Sequence, residues 1–226
     1  MNIFSGNSLW QLVCQSDAVS KFVLLILFGM SVACWALFIG KLALLYIKER
    51  QFDAVNKHVQ KAKTITELAD IAINAAATAP GYFIVKNIAF LKELLHGNLQ
   101  QEIRNNEWEL LERNIDNNID SMLLHNEEYL AILSSSAAVA PLLGLFGTVW
   151  GLVHSFMRIS ETGIADIATI APGIAEALIT TLAGLIVAIP ALCMFNYLQT
   201  KTRTLEHSLL MLADRMTFIY QHQRGR

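Results

Sequence analysis

Hydrophobic residues fall along this chain in three long blocks, and the blocks predict three membrane-spanning helices. Phe22–Gly40 carries no charge, and after Lys41 the apolar run resumes through Ile47. A full crossing takes about 20 apolar residues, whereas a signal-peptide core has roughly 7–15. Residues 21–47 therefore read as a retained span, with Lys41 snorkelling to the headgroups. Tyr129–Met157 is free of Asp, Glu, Lys and Arg and predicts a second span at 129–157. Ile167–Thr200 predicts a third at 167–200, interrupted only by Glu176.

The polar stretches have helical patterns of their own. Within 48–128, Ile65–Ala77 reads as a helix stopped by Pro80-Gly81, and Tyr82–Leu95 as a second, ended by the His96-Gly97-Asn98 turn signal. From Leu99 onward, Trp108, Leu111, Ile115, Ile119 and Met122 form one apolar stripe at spacings of three and four. No Gly or Pro falls between Leu99 and Ala140, so this helix is expected to run unbroken into the second span. In the tail, 201–226, Leu205, Leu209, Leu212, Met216 and Ile219 predict a helix continuing the third span. The expected fold is an all-α integral membrane protein with three transmembrane helices, the second and third extended by long cytoplasmic helices.

Charge placement sets the expected orientation. Most Lys and Arg residues near span ends lie in 48–128 and in the tail, while the head, 1–20, and the loop, 158–166, contribute Arg158, with Lys21 just beyond the head. The positive-inside rule then puts head and loop in the periplasm and the large loop and C-terminus in the cytoplasm. The head also carries Asp17 and Trp10, the latter an expected interfacial anchor.

Composition agrees with a bilayer setting. Of 226 residues, 54% are hydrophobic and 16% charged, against about 25% charged in soluble domains. A net charge of −2 gives no nucleic-acid signature. Cys14, Cys34 and Cys193 show no metal or disulfide spacing and read as small hydrophobes. There is no phosphate loop, zinc spacing or nucleophile motif, and no cofactor is expected.

The second and third spans are rich in small residues. Gly144, Thr148, Gly151 and Ser155 form a stripe flanked by Gly147; Gly173, Ala177, Thr180, Gly184, Ala188 and Ala191 form another. Such stripes let helix backbones pack closely in lipid. Thr148, Thr180 and Thr181 either bond back to their own helix carbonyls or line a polar path. Glu176 lies about nine residues into the third span, on the order of 13 Å deep and at a height comparable to that of Thr148. A charge at the bilayer centre costs roughly 3 kcal/mol on insertion scales, so Glu176 must face protein or water. It is either a structural hydrogen-bonding group or a participant in ion passage. His154 reads as an interfacial residue. Pro172 fits a helix first turn, and Pro190 and Pro141 are expected to kink their helices.

Gly144–Gly151 (GLFGTVWG), Ala171–Leu178 (APGIAEAL), Thr181, Gly184-Leu185 and Ala188–Ala191 (AIPA) together resemble the MotA/TolQ/ExbB proton-channel family. The head, the first span with Ser31 and Ala36 around Trp35, and the short tail are more similar to its TolQ branch than to ExbB. The resemblance implies an inner-membrane homopentamer around a single-span TolR-like or ExbD-like partner that carries the titrating aspartate. It further implies that the assembly drives a TolA-like or TonB-like protein across the periplasm. By the same resemblance Thr148 and Thr181 line the lumen and Glu176 lies close to it. Thr180 stands where relatives usually have alanine, and its hydroxyl either makes the lumen more polar or satisfies a carbonyl. The rival reading is a passive membrane scaffold; a small transporter or an enzyme fits less well.

Overall fold

A computed structural model describes residues 17–95, 104–127, 129–162 and 167–224. The described part is built of six helices: α1 (Ala18–Val59), α2 (Ile65–Asn74), α3 (Ala79–Leu94), α4 (Asn105–Glu127), α5 (Leu130–Thr162) and α6 (Ile167–Arg224). Three of them, α1, α5 and α6, are long and apolar enough to cross a membrane. Trp10, Cys14 and the His96-Gly97-Asn98 turn lie outside the described residues, as do residues 163–166 of the expected loop.

The chain divides into two compact units. One comprises Met1–Ile39 and Tyr129–Tyr197, the other Gly40–Glu128 and Leu198–Arg226.

In the first unit the usual distribution of side chains is inverted. Thr180, Ala177 and Ala140 are buried, while Leu142, Phe156, Leu178 and Ile186 are each more than 60% exposed. Large apolar side chains turned outward, around a seam of small ones, suit a hydrocarbon solvent, where burying Leu or Ile brings no hydrophobic gain. Val23 and Leu27 of α1 join Ala140 of α5 and Val187 and Ala188 of α6 in a buried cluster. Pro141 lies inside α5, and Pro172 and Pro190 inside α6, each helix continuing through its prolines. Because α6 already begins at Ile167, Pro172 falls beyond the first turn expected for it.

The second unit has a conventional core. The tail stripe Leu205, Leu209, Leu212, Met216 and Ile219 is buried throughout, as are Leu111, Ile115 and Ile119 of α4. Polar anchors cross between helices: Lys201 Nζ donates to Glu49 Oε2 at 2.9 Å, Asn56 Nδ2 to the Ser208 carbonyl at 3.1 Å, and Asn118 Nδ2 to Asn87 Oδ1 at 3.0 Å.

Two expectations are corrected here. Pro80-Gly81 does not separate helices; it opens α3, with Thr78 as N-cap accepting from the Gly81 amide at 3.2 Å. Proline in a first turn costs nothing, since its missing N–H would be unpaired there. The preceding helix ends earlier, at Asn74, and a Cβ at Gly81 would overlap the Ala75 carbonyl oxygen. The expected unbroken rod from Leu99 through the second span is interrupted as well. Helix α4 stops at Glu127, α5 starts at Leu130, and Tyr129 between them takes φ 71°. A left-handed residue ends an α-helix, and neither Gly nor Pro is needed to do so.

Candidate functional site

The small residues of α5 and α6 meet along one antiparallel seam. Gly184 lies against Ala140, Gly144 against Thr180 and Thr181, Gly147 against Thr180, Gly151 against Ala177, and Gly173 against Ser155. A Cβ at Gly147 would stand 2.5 Å from Thr180 Oγ1, and one at Gly184 would stand 2.6 Å from the Ala140 carbonyl oxygen. At Gly173 it would overlap Ser155 Oγ. The two backbones approach this closely only because these positions lack side chains. Ser155, itself buried, donates to the Gly151 carbonyl at 2.8 Å.

Each of the three threonines has a carbonyl acceptor. Thr148, half-buried, donates to Leu145 O on its own helix at 2.7 Å. Thr180 is fully buried in the seam and donates to Ala177 O at 2.7 Å. Of the two alternatives open for its hydroxyl, satisfying a carbonyl is the one found. Thr181 is half-buried and donates across the seam to Gly144 O at 3.0 Å.

Glu176 is half-buried on α6, and the residue just before the first helix meets it. The backbone N–H of Asp17 donates to Glu176 Oε1 at 2.9 Å. The Asp17 carboxylate in turn accepts from the Trp150 indole Nε1 at 2.9 Å. That indole donor, with the Ala18 and Val19 amides and the nearby His154, holds the Asp17 carboxyl below its ordinary value, against a smaller opposing effect of burial. Asp17 is thus the N-cap of α1 and, through its backbone, a partner of Glu176.

Glu176 thus meets the residue that precedes α1, where a polar head gives way to the apolar run. Gly147 faces Thr180 and Gly151 faces Ala177, so Thr148 lies within about one helical turn of Glu176, beside the threonine pair. Sequence reading had not singled out Asp17 or Trp150 as site residues. The available signal was an aspartate immediately before an apolar helix, which marks an N-cap but not what its amide meets. Among the described residues, no three His, Cys, Asp or Glu side chains gather as a metal-binding group.

Comparison with known proteins identifies the setting of this seam. Residues 86–211 match the MotA/TolQ/ExbB proton channel family. The chain belongs to that family. The matched segment holds all of α5 and most of α6, and with them Thr148, Glu176, Thr180, Thr181 and the seam glycines; Asp17 lies outside it. The chain is similar to the biopolymer transport protein ExbB of Salmonella typhimurium, 32% identical over 84% of this chain and 76% of that protein. It is 42% identical to the Tol-Pal system protein TolQ of Haemophilus influenzae, over 43% of this chain and 42% of the relative. The TolQ of Pseudomonas aeruginosa is 28% identical over 94% and 92%. Both branch names thus occur among the relatives. Family membership and three membrane-length apolar helices make this a multi-pass membrane protein.

Proposed function

We propose that this protein is an inner-membrane proton-channel subunit that, with a single-span partner, uses the proton motive force to energise a periplasm-spanning protein. The observation that carries the reading is a carboxylate, Glu176, next in sequence to the seam residue Ala177 of a family-matched helix pair, with Thr148 and Thr181 about a turn away. One charge moved through the membrane potential releases roughly 2.3 kcal/mol per 100 mV. A single acid and two hydroxyls do not make a two-sided path, so the partner, TolR-like or ExbD-like, supplies the titrating group, and copies of this chain, five by family resemblance, surround it. The Lys and Arg distribution supports a periplasmic N-terminus and a cytoplasmic C-terminus. Thr180, its hydroxyl spent inside the seam, is assigned to packing and not to the lumen.

Service to the Tol-Pal system, through a TolA-like protein, is favoured by the 42% identity to a TolQ across 97 residues. The ExbB-type alternative, energising a TonB-like protein, draws on the 32% identity across 190 residues. Complementation of strains lacking one or the other system separates them.

A passive scaffold has one specific observation in its favour, that all three threonine hydroxyls already bond carbonyls. The two readings divide on Glu176→Gln and Thr148→Val. In a channel subunit these variants assemble with the co-purifying single-span protein but lose envelope function and proton flux in proteoliposomes. In a scaffold both keep function. Purification as a lone monomer in mild detergent sinks the channel reading.

A further inference from the structure

We propose that Asp17 is a positioning residue for Glu176, so that the first helix, which contributes none of the family-matched residues, sets where the carboxylate of the proton site stands. The inference rests on the channel reading of Glu176 given above, and it adds a residue and a helix to that site.

Three helices contribute one side chain or amide each. From α5, the Trp150 indole donates to Asp17 Oδ2 at 2.9 Å; from the start of α1, the Asp17 amide donates to Glu176 Oε1 at 2.9 Å; α6 carries the glutamate. The chain is directional. Trp150 fixes the Asp17 side chain, the Lys21 amide donates to the Asp17 carbonyl at 3.0 Å and fixes its backbone, and the backbone then points one donor at one carboxylate oxygen. An amide whose own residue is tied twice loses little further freedom when it binds, so its hold on Glu176 is stronger than that of a loose loop amide. Bonds to a charged acceptor are also the stronger class. One turn along α1, Ser20 is fully buried and its hydroxyl has no hydrogen-bond partner. The start of α1 therefore holds polar groups that packing in hydrocarbon alone would not require, since an unpaired buried hydroxyl is costly.

The Glu176 carboxylate, the residue that precedes α1 and Trp150 of α5 thus form one hydrogen-bonded chain. A shift of α1 relative to α5 and α6 would release it. A proton site whose acid is held by a separate helix has a built-in way to couple helix movement to carboxylate position.

The test is chemical labelling of Glu176 by dicyclohexylcarbodiimide, a hydrophobic carboxyl reagent, on the full chain in native membranes, with the modified fraction followed by mass spectrometry. Asp17→Pro deletes the amide N–H itself. Asp17→Asn keeps it, and keeps an oxygen for the Trp150 indole. Trp150→Phe removes only the indole donor. Losing one such bond is expected to raise the Glu176 labelling rate roughly two- to tenfold in Asp17→Pro, and by less in Trp150→Phe, with Asp17→Asn at the parental rate. A merely structural role for Asp17 would not give that order: Asp17→Pro loses both the indole bond and the amide donor aimed at Glu176, Trp150→Phe loses only the indole bond, and the difference between them isolates the amide. If Asp17→Pro fails to accumulate, Trp150→Phe against Asp17→Asn carries the comparison. Equal labelling in every variant overturns the positioning role while leaving the channel reading intact. Retained proton flux in Glu176→Gln overturns the channel reading while a labelling contrast would still stand.

Discussion

Gly147 and Thr180 pack so closely that the place of a Cβ on the glycine lies 2.5 Å from the threonine hydroxyl and 2.7 Å from its Cβ. The α5–α6 seam tolerates no added atom there without moving a helix. Gly147→Ala is therefore expected to destabilise the protein by about 1–3 kcal/mol, the usual cost of overpacking. Thr180→Ala in the same chain should recover part of that loss, because it removes Oγ1 and Cγ2 and leaves the Cβ contact. Thermal melting in detergent measures both, and strict additivity of the two substitutions would contradict the contact.

Position along the helices decides the size of such effects. Gly184→Ala meets the Ala140 carbonyl oxygen, which no rotamer change relieves. Gly29→Ala meets nothing within 4 Å. The first should lower the melting temperature and the second should leave it unchanged or slightly raised, as helix propensity favours alanine by about 1 kcal/mol.

Thr181→Val removes a hydroxyl bond that crosses the seam from helix to helix. Interhelical hydrogen bonds in membranes average about 0.6 kcal/mol, so the variant should assemble almost normally. A loss of envelope function alongside so small a change in melting would mean that the Thr181 hydroxyl does more than pack. Function that falls only in step with stability would confine it to packing.

Tyr220 is fully buried in the second unit, its hydroxyl has no hydrogen-bond partner, and burial raises its pKa well above the ordinary value of 10.0. Below pH 10 the tyrosine is neutral whether folded or not, and its contribution to stability is constant. Above pH 10 the unfolded chain ionises while the folded one does not, so stability falls as pH rises toward the folded value. Tyr220→Phe should match or exceed the parent at neutral pH by up to about 1 kcal/mol, since it removes an unpaired polar group. It should also lose less stability between pH 9 and 11, measured as the difference between melting curves.

Arg215 closes the end of α1, which stops at Val59. Its Nη2 donates to the carbonyls of Gln60 and Ala62, both at 3.0 Å. Arg215→Lys keeps the charge and loses the planar fork, and is expected to cost about 1 kcal/mol and to speed amide exchange at the α1 terminus. Unchanged exchange would show that the helix end holds without the cap.

The tail stripe from Leu205 to Ile219 and the α4 stripe from Leu111 to Ile119 were legible because helical periodicity is local, and a face that repeats every three or four residues must be buried somewhere. The three spans were legible for a similar reason, since a bilayer demands uninterrupted apolar length. Small-residue stripes announced close packing, but not that each stripe would find the other in the same chain. Helix boundaries were less legible. Pro80 was expected to stop a helix and instead starts one, because proline suits a first turn as well as a break and only the Thr78 cap decides between them. The break at Tyr129 carries no composition signal.

The sequence by itself determined the three apolar spans, the two small-residue stripes and the presence of Glu176 in the third span, all of which depend on residue type and spacing along one helix. Tertiary structure decided which carbonyl each threonine hydroxyl reaches, that Thr180 is enclosed within the seam, and that Asp17, 159 positions away in sequence, supplies the amide that meets Glu176. Such partners depend on the register between helices. That register is set by packing of whole faces, and no spacing within a single helix encodes it.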